Sequence, residues 1–225
     1  MLSMKQEQKV ITVELDYVNS FIIVGRKTII VDCGNPGDHE KILSKMDRLG
    51  IKKDDVSLIL ITHGHVDHYG GAHELKENIG CDLAVHKEDA GAVENGTNKP
   101  IRAWGFKGRF LKNFLTEKHA KAVETDIKFE GLDLKNYGID GKAISTPGHT
   151  PGSVSVILDS GQAIIGDLVM GGFLRSKSPN LPAFADDIKS VKKSLKIIMD
   201  HDPEIIYASH GGPFEPRSVE KYCSD

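Results

Sequence analysis

One short stretch constrains this chain more than any other: residues 62–68, with the sequence Thr-His-Gly-His-Val-Asp-His. It directly follows the apolar run Val56–Ile61, which is typical of a β-strand. If the backbone is still extended where that strand ends, residues two apart point the same way, so His63 and His65 can converge on one ion. Imidazole and carboxylate ligands suit Zn²⁺, Fe²⁺ or Mn²⁺. The stretch therefore predicts a metal site at a strand end; solvated histidines in a polar loop are the alternative.

Further residues of metal-ligand type recur along the chain. Asp67 and His68 come first, in the predicted turn into the next helix, where they could reach a second ion close to the first. A histidine flanked by prolines and glycines is held rigidly, and a carboxylate just past a buried strand needs a partner for its charge. The later positions are His149 within 146–152, Asp167 after the predicted strand 162–165, and His210 after the predicted strand 204–207.

These residues, taken in order, resemble the signature of a known family. The motif His63-x-His65-x-Asp67-His68, followed by His149, Asp167 and His210, is similar to that of the metallo-β-lactamase-fold superfamily of metal-dependent hydrolases. The resemblance spans nearly the whole chain and favours the glyoxalase-II-like and lactonase-like branch. It implies an α/β fold, a four-layered αβ/βα sandwich of two mixed sheets flanked by helices.

The same resemblance implies a site for two Zn²⁺ ions, with Fe or Mn as alternatives. A hydroxide bridging the two ions would be the nucleophile, because coordination lowers the pKa of water from 15.7 toward about 7. Asp67 could also orient this hydroxide. Asp32, after the third predicted strand, would support the first ligand loop, with an ordinary cap as the alternative. The implied ligands are His63, His65 and His149 for the first ion, Asp67, His68 and His210 for the second, and Asp167 as the bridge.

The reaction that this resemblance implies is hydrolysis of a small ester, thioester or lactone. A glyoxalase II carries a C-terminal domain that binds glutathione, whereas fifteen residues follow His210 here, so glutathione thioesters are disfavoured. A different enzyme with the same pattern would be a mononuclear iron dioxygenase of the persulfide-oxidising type, whose ligands would be His63, His149 and Asp167. The motif is also compatible with a phosphodiesterase or nuclease, with a β-lactam hydrolase, and with a metal-binding module that has no catalytic activity.

Residues 88–126 interrupt the alternation of strands and helices with an insertion rich in basic and aromatic side chains. One interpretation is a lid at the active-site mouth that admits an anionic or amphipathic substrate. The second interpretation is an amphipathic helix that buries Trp104, Leu111 and Leu115 while its lysines face water. Under the first interpretation the predicted pocket is walled by Tyr69, Trp104, Phe106, Met170, Phe173 and Arg175.

Composition is that of a globular protein. At 225 residues, 39% hydrophobic and 27% charged, the chain is expected to form a single domain, 1–225. The net charge of -3 makes nucleic acid an unlikely partner, and a small-molecule substrate is expected instead. Three widely spaced cysteines, a polar N-terminus and the absence of a long apolar run predict a cytoplasmic protein with no membrane span. A homodimer is left open.

Local patterns predict the elements that carry these residues. Strands are expected at 10–15, 20–24 and 28–31, and a helix at 38–49 that Gly50 stops. Short strands within 127–146 should begin the second sheet, and a later helix should start at Asp186 and Asp187. The remaining histidines are interpreted as surface or supporting residues, with His86, at a strand end, the one to test; they are His39, His73, His86, His119 and His201.

Overall fold

Two mixed β-sheets pack face to face in the computed structural model, which describes residues 8–100, 102–105, 119–171 and 178–223. Helices cover the outer face of each sheet, so the four-layered sandwich is confirmed. The first sheet has six strands in chain order: β1 (Lys9–Glu14), β2 (Asn19–Val24), β3 (Thr28–Val31), β4 (Val56–Ile61), β5 (Asp82–His86) and β6 (Ile127–Phe129).

The second sheet is built from the later part of the chain. It contains β7 (Leu132–Asp133), β8 (Gly141–Ser145), β9 (Val154–Leu158) and β10 (Gln162–Ile164). A two-stranded ribbon of β11 (Met170–Gly171) and β12 (Pro179–Asn180) precedes the last strand, β13 (Ile205–Tyr207). The spatial order is β13-β10-β9-β8-β7, with β10 and β13 parallel and the other pairs antiparallel.

Helices begin and end close to the predicted signals. The predicted helix 38–49 runs from His39, and Gly50 ends it in the left-handed region at φ 70°. Asp187 caps the later helix, where its side chain accepts from the N–H of Lys189. The helices are α1 (His39–Leu49), α2 (Val66–Tyr69), α3 (Ala72–Ile79), α4 (Lys87–Asn95), α5 (Ile188–Met199) and α6 (Pro216–Glu220).

Three apolar clusters fill the spaces between the four layers. Strand β4 contributes to two of these clusters. Ile59 and Ile61 face the helices α1 to α4, whereas Leu58 and Leu60 face the other sheet. A strand buried on both faces has to be apolar throughout, which explains its unbroken run of large side chains. The third cluster lies between the second sheet and α5, around Leu195.

One predicted strand belongs to a different sheet. The short strands within 127–146 were expected to begin the second sheet, but β6 pairs in parallel with β5 and completes the first sheet. The crossover to the second sheet therefore falls after Phe129, between β6 and β7. Sequence periodicity marks these strands but carries no information about their partners.

The insertion 88–126 is described only in part. Its first residues belong to α4. The helix interpretation required a buried Trp104, but 41% of the surface of this residue is exposed. Leu111 and Leu115 lie outside the described residues. Among the described residues, no helix combines the length and the apolar character that crossing a bilayer requires.

Helix α5 offers a test of this core. Leu195 is fully buried, whereas Ile197 on the same helix is 43% exposed. We expect Leu195→Ala to lower the free energy of unfolding by about 2–5 kcal/mol, because it leaves a cavity in the third cluster. Ile197→Ala should change it by less than about 0.5 kcal/mol. Urea unfolding followed by circular dichroism measures both, and equal losses would contradict the assigned layering.

Candidate metal centre

The candidate ligands gather at one edge of the sandwich, where strands of both sheets end. Asp32 follows β3, His63 follows β4, and Asp167 and His210 follow the parallel strands β10 and β13. The two sheets are joined there, because the carbonyl of Thr62 accepts from the N–H of Val154 at 2.9 Å. Side chains from distant parts of the chain therefore converge on one small volume.

Three imidazoles form the first group of possible ligands. The Nδ1 atom of His65 lies 3.1 Å from Nε2 of His63 and 3.0 Å from Nε2 of His149. His65 has extended backbone (φ -98°, ψ 144°), as the spacing argument required for the first two rings to converge. Nitrogen ligands of tetrahedral zinc, about 2.0–2.1 Å from the ion, are about 3.3 Å apart. The spacing of these nitrogens therefore fits a bound metal ion.

The outer partners of these rings fix the tautomers. Nδ1 of His149 donates to the carbonyl of Phe184 at 2.9 Å, so the Nε2 atom of the neutral ring carries a lone pair. Nδ1 of His63 lies 3.1 Å from the hydroxyl of Thr62, which donates its own proton to Asp32 and can only accept here. Two lone pairs thus face His65 Nδ1, whose single proton could satisfy only one of them. A cation at the centre would satisfy all three.

A second group lies beside the first. It consists of Asp67, His68 and His210, whose ligand atoms all lie within 4.8 Å of one another. Nε2 of His210 is 3.7 Å from Oδ2 of Asp67, and Nδ1 of His210 donates to the carbonyl of Tyr17 at 2.7 Å. Nε2 of His68 is buried without a hydrogen-bond partner among the described residues.

Asp167 lies between the two groups. Its Oδ2 is 3.6 Å from Nε2 of His149 and 3.4 Å from Nε2 of His210, and its Oδ1 is 3.6 Å from Nε2 of His68. The Oδ1 atom is buried and has no hydrogen-bond partner among the described residues. Since an unsatisfied buried carboxylate is costly, this position favours a cation between the two groups.

Protonation of the two groups differs. Burial, followed by the nearby His149, lowers the pKa of His65 to about 3, and burial also holds the pKa of His63 well below its usual value. Burial lowers the pKa of His68 too, but the carboxylates of Asp167, Asp32 and Asp67 outweigh it and raise that pKa to about 10. The first group is thus neutral, and the second lies in a field that favours positive charge, which a bound cation would supply.

Asp32 supports both groups from behind. This fully buried carboxylate accepts from Nδ1 of His68 at 2.8 Å, and from the N–H and the hydroxyl of Thr62 at 2.8 Å each. Ser209, next to His210, donates a longer bond of 3.4 Å to the same Oδ2 atom. Asp32 itself has a left-handed backbone (φ 62°), which Asp tolerates better than most residues. Asp32 thus contacts one member of each group, His68 directly and His63 through the hydroxyl of Thr62.

Packing fixes the loop that carries His149. A Cβ atom on Gly148, which has φ 140°, would lie 2.3 Å from the backbone nitrogen of Val191 at the start of α5. Asp187 N donates to the carbonyl of Gly148 at 2.9 Å, and Asp186 N donates to that of His149 at 3.1 Å. The glycine is therefore required for the close approach of α5, and α5 in turn holds the histidine loop.

The described residues of the predicted pocket differ in their burial. Tyr69 is fully buried in the first apolar cluster, and its hydroxyl donates to the carbonyl of Thr97 at 2.7 Å, so it does not wall an open pocket. Met170 is half-buried beside the His210 loop, since Gly171 N donates to the carbonyl of His210 at 2.6 Å. Trp104 is exposed. Phe106, Phe173 and Arg175 lie outside the described residues.

Two supporting residues were missed in the sequence. The buried Asn19 donates through Nδ2 to the carbonyls of Ala208 and Gly211, on either side of the His210 loop. Asp89 accepts bonds from two ligand loops. Asp89 follows β5, a parallel strand that ends at the site edge, and that position was the available signal. No local pattern identifies Asn19, whose partners lie about 190 residues away.

The role of Asp32 leads to a prediction about metal affinity. In Asp32→Asn the amide NH₂ must face either the Nδ1 proton of His68 or the Thr62 N–H, so one supporting bond is lost. We expect zinc affinity to fall by about 10–100-fold. Competition with a chromogenic chelator measures it, with the exposed Asp54→Asn as the matched control. Equal zinc affinities in the two variants would contradict the role assigned to Asp32.

Comparisons with known proteins agree with this geometry. The chain is 27% identical over 199 residues to a probable metallo-hydrolase of Methanocaldococcus jannaschii, covering 86% of this chain and 87% of that one. It is 28% identical over 191 residues to the hydroxyacylglutathione hydrolase GloC of Haemophilus influenzae, with 83% and 81% covered. The crystal structure of the BLEG-1 B3 metallo-beta-lactamase shares the fold, with a TM-score of 0.72, 19% identity and coverages of 97% and 100%. The model of the metallo-beta-lactamase superfamily matches residues 13–210, and the chain therefore belongs to that superfamily.

Proposed function

We propose that this metal-dependent hydrolase binds two divalent cations, expected to be zinc, and cleaves a small ester, thioester or lactone. One observation carries the proposal. In the second group, Asp67, His68 and His210, the ligand atoms all lie within 4.8 Å of one another, and Asp167 lies between this group and the three histidines of the first. Each group leaves room for a further ligand, which is the condition for catalysis rather than for a closed structural site.

The second group also separates the proposal from the dioxygenase. A mononuclear iron dioxygenase would use His63, His149 and Asp167 as its ligands. Such a site would not explain why the ligand atoms of the second group also converge. The carboxylates of Asp167, Asp32 and Asp67 outweigh burial and raise the pKa of His68 to about 10, so its surroundings favour positive charge. We therefore favour two ions over one.

We assign the following roles in metal binding and proton transfer to the residues of the site. His63, His65 and His149 would hold the first ion, Asp67, His68 and His210 the second, and Asp167 would contact both. Bound there, the ions would supply an activated water and a Lewis acid for a carbonyl oxygen. The side chain of Asp67 is 29% exposed, so its free oxygen could accept the proton of an attacking water and orient it.

The substrate class draws support from a relative and from the protein's charge. GloC, by its name a hydroxyacylglutathione hydrolase, matches this chain over more than four-fifths of both lengths. The net charge of -3 gives no general attraction for nucleic acid, which disfavours a nuclease. The similarity to β-lactamase structures, at 19% identity, concerns the fold alone. An acyl carbonyl is thus the favoured electrophile.

A substrate panel tests the reaction class. Zinc-loaded protein should hydrolyse at least one of a small aryl ester, an acyl-glutathione thioester and a lactone, with kcat/KM at least about tenfold above that for an aryl phosphodiester or a cephalosporin. A chelator-treated sample is the control and should be inactive, because the attacking water is no longer activated. If the protein is fully loaded and turns over only the phosphodiester, or nothing, the proposal is wrong.

The role of Asp67 can be tested separately. Asp67→Asn keeps an oxygen for the metal but removes the proton acceptor, so we expect kcat to fall by about 10²–10⁴-fold. Metal content, measured on the same samples by mass spectrometry, should stay at the wild-type level. Turnover that is unchanged at full metal content would remove Asp67 from the mechanism and leave it only as a ligand.

A further inference from the structure

A buried carboxylate outside the two ligand groups connects the loops that carry the first group. Asp89 lies in the first turn of α4 and is fully buried. Its Oδ2 atom accepts from the N–H of Gly64 at 2.8 Å and from the hydroxyl of Thr150 at 2.6 Å. Its Oδ1 atom accepts from the N–H of Gly152 at 3.0 Å. One side chain thus binds two loops that are far apart in the sequence.

The bonded positions adjoin the first group of ligands. Gly64 lies between His63 and His65, and Thr150 directly follows His149. The ring nitrogens of these histidines are separated by 3.0 and 3.1 Å, distances that a shift of either loop would change. Asp89 is therefore placed to set the separation of the two loops without touching a metal ion.

Close packing leaves Asp89 little freedom. A Cβ atom on Gly152 would lie 2.5 Å from Cγ of Asp89, and a Cβ atom on Gly64 would lie 3.3 Å from its Cβ. Both loops thus pack their backbones against this side chain, and at Gly152 only glycine leaves space. A longer carboxylate such as Glu would push the loops apart, and a shorter side chain would not reach them.

A structural cap does not account for this arrangement. The start of α4 is capped by His86, whose Nδ1 atom accepts from the N–H of Glu88, while both oxygens of Asp89 bind the loops. Lys99 also forms an ion pair with Oδ1 of Asp89, at 3.4 Å. A fully buried charge is costly unless donors surround it, so an apolar residue would serve the core better if packing were the only requirement.

We propose that Asp89 is a positioning residue that holds the His149 loop against the loop of His63 and His65 and so sets the affinity of the first metal site. The inference rests on the two-metal site proposed above. In Asp89→Asn the amide NH₂ must face either the Gly64 and Thr150 donors or the Gly152 donor, so at least one of the bonds that tie the loops to this side chain is lost. The second group is not held by Asp89 and should keep its affinity.

Two backgrounds isolate the two sites in the full chain. His210→Ala removes a ligand of the second site and keeps the first site intact. His149→Ala removes a ligand of the first site and keeps the second intact. With a chromogenic chelator as competitor, adding Asp89→Asn should weaken Zn²⁺ binding by about 10–100-fold in the His210→Ala background. In the His149→Ala background the change should stay below about threefold.

Controls separate positioning from stability. Asp126→Asn removes a carboxylate that accepts from the N–H of Leu83, at the start of β5 and away from the site. It should lower the melting temperature and leave zinc affinity unchanged. Thr150→Ser should preserve first-site affinity because it keeps the hydroxyl bonded to Asp89, whereas Thr150→Val should reduce it.

Two other sets of results would distinguish failure of this inference from failure of the proposed function. Equal losses at both sites, or no loss at either, would overturn the role of Asp89 while leaving the two-metal function in place. If the wild-type chain and both backgrounds fail to bind Zn²⁺, the proposed function itself fails, and this inference with it.

Discussion

The geometry of the candidate metal centre depends on the buried carboxylate of Asp32, which contacts residues of both ligand groups. Asp32 fixes the ring of His68 directly and that of His63 through the hydroxyl of Thr62. Such outer partners orient imidazoles, select their tautomer and raise their basicity. Because Asp32 is fully buried, its charge would cost folding free energy if these donors were absent. The stability of the fold and the geometry of the candidate ligands therefore depend on the same hydrogen bonds. Removing either partner would leave the other unsatisfied.

The sandwich explains how such distant residues meet. Strands β3, β4 and β5 run parallel, as do β10 and β13, so the turns at their carboxyl ends share one edge. The two sheets touch at this edge through Thr62 and Val154. Candidate ligands before residue 70 come from the first sheet, and His149, Asp167 and His210 come from the second. The relative positions of these residues therefore depend on how one sheet packs on the other.

Much of this could be predicted from the sequence, and the physical reason is local. Spacing alone brings His63 and His65 together, because the extended backbone that aligns them is continuous with β4. The fold class and the family follow from the order of the ligand motifs, which the family match over residues 13–210 confirms. Strand ends and helix starts carry their own turn and cap signals, as Gly50 and Asp187 show.

What could not be predicted depends on contacts that no local pattern encodes. Tyr69 was expected to wall the pocket, but its side chain is buried in the core and its hydroxyl donates to the carbonyl of Thr97. The pairing of β6 with β5 rather than with the second sheet is a question of topology. Asp89 carries no motif beyond its position after β5, and its bonds to Gly64 and Gly152 exist only once the loops are folded against it.

Anomalous X-ray scattering from crystals of protein purified without chelator or added metal tests the central claim most directly. Data collected across the zinc, iron and manganese absorption edges identify each metal and its position. We predict two zinc peaks, one among His63, His65 and His149 and one among Asp67, His68 and His210, with Asp167 between them. A single iron peak, or no peak within these residues, would contradict it.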